Sequence, residues 1–160
     1  MSYPEPRHHG DTGEVNAVFR PASTPADVRS PSGTETHFVA SSVSTGGEFG
    51  LYRMDMVPRG GGPSTHFHKT ISESFYILEG TVRLYDGERW IEAEKGDFLY
   101  VPPGGLHGFR NDSDAPASTL ILFAPGAPRE EYFEKVSTVG QMTDDERTAF
   151  FIKHDTYWVD

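Results

Sequence analysis

The sequence predicts an all-β barrel or sandwich closed by one or two C-terminal helices, and three observations carry that prediction. Between Thr36 and Pro125, short runs of aromatic, aliphatic and β-branched residues recur roughly every eight to twelve positions, each bounded by Gly, Pro or Asp. After Pro125 the apolar spacing changes to a helical one. No repeat at domain scale divides the 160 residues, so one barrel is expected, in a chain long enough to bury roughly 70% of its unfolded surface.

Taken in order, residues 1–35 are rich in proline and small polar residues with little apolar periodicity, and read as an extended, partly disordered arm. Asn16–Arg20 is the one piece of it that fits a strand. Residues 36–125 form the barrel. Its strand candidates are His37–Ala40, Phe49–Val57, Ser74–Leu78, Thr81–Tyr85, Arg89–Glu92, Phe98–Val101 and Thr119–Phe123. Asp86-Gly87 marks a hairpin, because glycine tolerates positive φ. Residues 126–160 form a helical segment that packs on the barrel. Pro128 suits a first helical turn, and Glu130, Tyr132, Phe133 and Val136 share one face. Thr143-Asp-Asp-Glu146 is a capping box opening a second helix to about Lys153, with Phe150 and Phe151 turned toward the barrel.

Twenty-four acidic against fourteen basic residues give a formal charge of −10. A surface this acidic repels phosphate backbones and disfavours nucleic acid as a partner. No apolar run approaches the ~20 residues of a membrane span, and the first residues show neither the basic nor the apolar region of a secretory signal. There is no cysteine, which fits the cytoplasm and leaves any metal to imidazole and carboxylate.

Two blocks supply those groups. Gly60 is followed after five residues by His66, Phe67 and His68, then after four more by Glu73 and after six more by Gly80. Gly96 is followed by Pro102, Gly104, His107 and Asn111. Residues two apart on a strand point to one face, so His66 and His68 can reach one centre while Phe67 points away. One His-x-His pair reads as surface histidines near a turn; two ordered blocks read as a shared site for a divalent transition metal.

The blocks resemble the two motifs of the cupin superfamily, with every named position filled: Gly60-Gly-Gly-Pro-Ser-Thr-His66-Phe-His68-Lys-Thr-Ile-Ser-Glu73-Ser-Phe-Tyr-Ile-Leu-Glu-Gly80 and Gly96-Asp-Phe-Leu-Tyr-Val-Pro102-Pro-Gly104-Gly-Leu-His107-Gly-Phe-Arg-Asn111. The resemblance implies a double-stranded β-helix, or jelly-roll barrel, whose interior metal is held by His66, His68, Glu73 and His107. The fifteen residues between Gly80 and Gly96 match the short spacing of small bacterial members. The flanks Ser44–Gly50 and Ala124–Phe133 resemble those of quercetin-2,3-dioxygenase-like single-domain cupins, extending the resemblance over roughly residues 33–136.

Glu73 has two readings, metal ligand or general base toward a bound phenol or enol. Gly60–Gly62 reads as a chain turn, with a lip at the barrel mouth as the alternative. Tyr52, Met54, Phe75, Tyr76, Tyr100, Phe109 and Phe123 are core or cavity candidates. Arg53 and Arg110 are carboxylate-anchor candidates beside a solvated reading, and His8, His9, His37 and His154 fit neither block. With no phosphate loop, nucleophile elbow or cysteine dyad, acyl and phosphoryl transfer are disfavoured. Three functions compete. The first is a metal-dependent dioxygenase acting on a small phenolic or enediol-type molecule, with Glu73 catalytic. The second is a non-redox isomerase, lyase or cyclase using a Lewis-acidic metal. The third is a non-catalytic small-molecule-binding barrel. The metal is Fe, Mn, Ni, Co, Cu or Zn. A homodimer is expected, with residues 15–40 pairing with the neighbouring subunit to cover exposed edges.

Overall fold

The computed structural model describes residues 1–159. Eleven strands appear among them: β1 Val28–Arg29, β2 Glu35–Ala40, β3 Gly50–Met56, β4 His66–Phe67, β5 Ser72–Glu79, β6 Val82–Tyr85, β7 Trp90–Ala93, β8 Phe98–Val101, β9 Gly108–Arg110, β10 Ala117–Ala124 and β11 Tyr157–Trp158. A six-stranded sheet runs β1-β2-β3-β10-β5-β8, a three-stranded sheet runs β7-β6-β9, and β11 pairs with β4. All pairings are antiparallel.

The alternation in β10 does the positioning. Ala117, Thr119, Ile121 and Phe123 are buried while the residues between them are half-buried, the period-two signature of a strand with one core face. In β5, Glu73, Phe75 and Ile77 lie opposite Phe123, Ile121 and Thr119, so Glu73 shares the inward face of the apolar residues. Phe75 meets Phe109 of the smaller sheet at 5.3 Å between ring centroids, and Val82 and Leu84 complete the core from that side.

The Asp86-Gly87 turn forms as expected. Tyr85 pairs with Trp90, Gly87 has φ +99°, and the Asp86 carboxylate accepts from the backbone N–H of Glu88 and Arg89, both at 2.9 Å. Gly60–Gly62 is pinned rather than free. Gly61 bridges to Asn111, and a side chain at Gly62 would strike the Phe109 carbonyl at 1.8 Å.

Helix α1, Glu130–Lys135, buries Tyr132 and Phe133 and is tied to the barrel where Glu130 accepts from the Tyr52 hydroxyl at 2.8 Å. It starts after Arg129, so Pro128 precedes it rather than forming its first turn. A 3-10 segment, Val136–Gln141, leads to α2, Asp144–Lys153, which carries the Thr143–Glu146 capping box. No helix among the described residues is long and apolar enough to cross a membrane.

The N-terminal expectation needs correction at one point. Asn16–Arg20 forms no strand; Val18 and Phe19 are 75% and 86% exposed, and no strand among the described residues pairs with them. Asp27 accepts from Arg20 at 2.7 Å and from the Phe38 N–H at 2.7 Å. Residues 28–29 and 35–40 pair within the same chain.

Candidate metal centre

The two histidine blocks meet through the backbone. His66 and His107 exchange both N–H···O bonds, each 2.9 Å, in an isolated antiparallel bridge. The Gly104 N–H donates to the His68 carbonyl, and β5 brings Glu73 beside Val101 of β8. One donor atom from each of His66, His68, Glu73 and His107 lies within 4.8 Å of the others, and all four residues are buried.

The imidazoles are oriented alike. His66 Nδ1 donates to the Ser64 carbonyl at 2.9 Å, His107 Nδ1 to the Gly105 carbonyl at 2.9 Å, and His68 Nδ1 to the Asp155 carbonyl at 2.5 Å. A carbonyl only accepts, so each ring carries its hydrogen on Nδ1 and turns Nε2 inward. Glu73 Oε2 then stands 2.9 Å from His68 Nε2 and 2.8 Å from His107 Nε2. Lone pairs this close repel unless a proton or a cation lies among them. Two ligands of one transition metal stand about 3 Å apart, so the donor set fits such an ion, and the Nδ1 contacts are the outer partners that ligand histidines require.

Burial raises the Glu73 carboxyl, but hydrogen bonds and charge from His107 and His68 outweigh it and hold Glu73 far below the usual carboxylate range. His66 is pushed down to about 4 by burial, with the nearby His107 adding to it. Burial opposes the charged form of His107, yet the contact with Glu73 prevails and raises it.

His66 and Glu73 sit at the edge of a cavity of about 370 Å³ whose walls include Met54, Phe109, Phe123, Phe133 and Trp158. Of the aromatic candidates, Phe109 and Phe123 thus line it, Tyr52 and Phe75 are fully buried core, and Tyr76 and Tyr100 lie on the outer face, 44% and 56% exposed. Neither arginine candidate lines it. Arg110 pairs with Asp112 at 3.1 Å, and Arg53 pairs with Asp55 at 3.0 Å.

Glu35, His37 and Asp55 form a second cluster of metal-binding residue types, but its carboxylates already have cations. Arg29 pairs with Glu35, and Asp55 accepts from Arg53 Nε at 3.1 Å and from Ser118 at 2.6 Å. It is an ion-pair network. His8 meets the Thr12 carbonyl at 2.8 Å and lies 3.8 Å from the Glu14 carboxylate, and His154 is buried, its Nε2 without a hydrogen bond among the described residues but 3.7 Å from the Glu131 carboxylate.

Sequence reading missed the C-terminal contribution. Trp158 pairs with His66 in the β11–β4 ladder and lies 5.0 Å from its ring. Tyr157 stacks on the outward Phe67 at 5.3 Å. Arg129 and Tyr132 enter the cavity from the start of α1. A two-residue strand has no periodicity to read, and Arg129 lies in a flank legible only as a helix start.

The Cupin domain family matches residues 52–123, from β3 into β10, which includes all four residues of the centre. Quercetin 2,3-dioxygenase of Bacillus subtilis (strain 168) is 34% identical over 95 residues, 59% of this chain but 28% of the enzyme's own length. Tetracenomycin polyketide synthase protein TcmJ of Streptomyces glaucescens is 25% identical over 126 residues, 78% of this chain and 83% of that protein. The structure of KdgF from Halomonas sp. has a TM-score of 0.58 at 16% identity, covering 68% of this chain and 94% of that one. That last likeness is one of fold.

Proposed function

This chain belongs to the cupin superfamily, a double-stranded β-helix with two short C-terminal helices, and on that premise we propose that it is a metal-dependent dioxygenase acting on a small phenolic or enediol-type molecule. The supporting observation is the buried cluster of His66, His68, Glu73 and His107, two of which, His66 and Glu73, line an apolar, aromatic-walled cavity. Its volume of about 370 Å³ falls within the range of small-molecule pockets.

A divalent transition metal held by His66, His68, Glu73 and His107 supplies Lewis acidity and redox capacity toward O2. The chain's own residues do the rest. The three backbone carbonyls fix the imidazoles before any ligand arrives. Phe109, Phe123 and Trp158 flank a planar ring and exclude water. Glu73 accepts the proton of the entering phenol or enol.

Oxygen uptake by metal-loaded protein, tested with flavonols and small enediols, checks this reading. Uptake with one of them is expected. Glu73→Gln is expected to keep near-stoichiometric metal and lose turnover by about 10²- to 10⁴-fold. No uptake across the panel by metal-replete protein contradicts the oxygenase.

A second reading is favoured by the polyketide synthase protein TcmJ, which matches over most of its length. Polyketides are chains of carbonyl groups, and a Lewis-acidic centre polarises carbonyls without oxidation. Turnover that persists without O2 and tolerates exchange among Zn, Ni and Mn distinguishes this reading.

A further inference from the structure

Arg129, just before α1, is a buried cation with no paired carboxylate among the described residues. It is 4% exposed. Its Nη1 donates to the His154 carbonyl at 2.5 Å and to Thr156 Oγ1 at 3.3 Å. Its Nε is buried with no hydrogen-bond partner among the described residues. The rings of Tyr132 and Phe123 lie 4.0 and 4.9 Å from the guanidinium carbon and offer it π faces, but no carboxylate pairs with it among the described residues.

A buried charge without a counter-charge is unfavourable. Holding the His154 carbonyl engages only Nη1, a task a neutral amide performs as well. The other edge of the guanidinium, Nε with Nη2, carries two parallel N–H donors, the pattern that fits the two oxygens of a carboxylate. Arg129 lines the same cavity as His66 and Glu73.

We propose that Arg129 anchors a carboxylate of the substrate, so that this cavity takes a planar monoanionic carboxylic acid with its reacting end toward His66 and Glu73. The inference rests on the cavity being the substrate site. A phenolate would engage one donor and leave the second unmatched. A phosphate dianion would call for more than one cation, in a cavity that already holds Glu73.

The test is calorimetric titration of the full chain with 2-naphthoate and with its uncharged isostere 2-naphthamide, as purified and after chelator treatment. Naphthoate is expected to bind about ten- to a hundredfold more tightly than naphthamide in both preparations, the range of a charge-assisted hydrogen-bonded pair. The preference is expected to vanish in Arg129→Gln and to weaken in Arg129→Lys, which keeps the charge without the paired donors. Should Arg129→Gln fail to fold, the two ligands on the unaltered chain still decide. Equal affinities overturn the role of Arg129 while leaving the cavity reading standing. A preference that survives in Arg129→Gln, or that chelator abolishes, assigns the carboxylate elsewhere and also overturns it. Binding of neither ligand overturns the cavity reading and this inference together.

Discussion

The ring of His68 and the main-chain carbonyl of Asp155, 87 positions apart in sequence, are joined by a 2.5 Å hydrogen bond in which His68 Nδ1 donates. The Asp155 carboxylate secures the same junction, accepting from the Lys69 and Thr70 N–H groups at 2.9 and 2.8 Å and from the Thr70 hydroxyl at 2.7 Å. Asp155 itself has φ +51°, a left-handed conformation that Asp tolerates better than most residues. The C-terminal segment is therefore part of the frame that aims one of the four candidate metal ligands.

Replacing the Asp155 side chain tests that coupling. Asp155→Ala is expected to lower stability by about 1–3 kcal/mol through the lost charge-assisted bonds. It is also expected to weaken metal affinity about 10- to 100-fold, the usual effect of disturbing an outer partner of a ligand. Thermal melts and metal-competition titrations read the two effects. Unchanged metal affinity alongside lower stability would confine Asp155 to a structural role.

The titration of the site gives a second expectation. In metal-free protein, burial and His107 hold His66 down at about 4. A histidine kept neutral by folding binds fewer protons than the unfolded chain, so its contribution to stability falls as pH drops from about 6.5 to about 4. His107 is raised despite its burial because Glu73 faces it; its contribution is complete below about 6.5 and fades as pH rises past that value. The two together put a maximum in metal-free stability near pH 6.5. Metal needs the neutral rings, so the stabilisation from added metal is expected to grow with pH. Scanning calorimetry with and without chelator between about pH 5 and 8 measures both trends. A metal-induced shift in Tm that ignores pH contradicts imidazole ligation.

Much of the centre was legible because its four residues sit in two short, locally ordered blocks. His66 and His68 alternate on one strand with Phe67 outside, as the two-residue period requires. The Asp86-Gly87 turn and the Thr143–Glu146 cap were legible for the same reason, since each is a local device with its own chemistry. What escaped acts across long sequence separations or through main-chain atoms. Asp155 reaches His68 with a carbonyl that every residue possesses. Trp158 reaches His66 from a two-residue strand. Asn16–Arg20 failed in the opposite sense: its apolar pattern suits a strand, but a strand also needs a neighbour, and no strand among the described residues pairs with it.

That unpaired stretch bears on assembly. Of the residues 15–40 expected to meet a second subunit, 28–29 and 35–40 already pair within the chain, so the contact is proposed for residues 15–27. There Val15, Val18 and Phe19 expose apolar side chains, and on β8, an edge strand of the large sheet, Phe98 and Tyr100 do the same. Light scattering is expected to give twice the 17.8 kDa of the chain, and deletion of residues 1–27 is expected to give a monomer. A full-length monomer at micromolar concentration contradicts the dimer.

The metal content of untagged protein purified without chelator, measured by inductively coupled plasma mass spectrometry, tests the central claim most directly. Near one equivalent of a first-row divalent metal is expected in the unaltered chain. His66→Ala and His107→Ala are expected to lose it while circular dichroism still reports a folded barrel, since the apolar core that holds the sheets together does not depend on either ring. A chain that takes up no metal even after reconstitution, or a His66→Ala variant that keeps a full equivalent, would contradict the assignment of His66, His68, Glu73 and His107 as one metal centre.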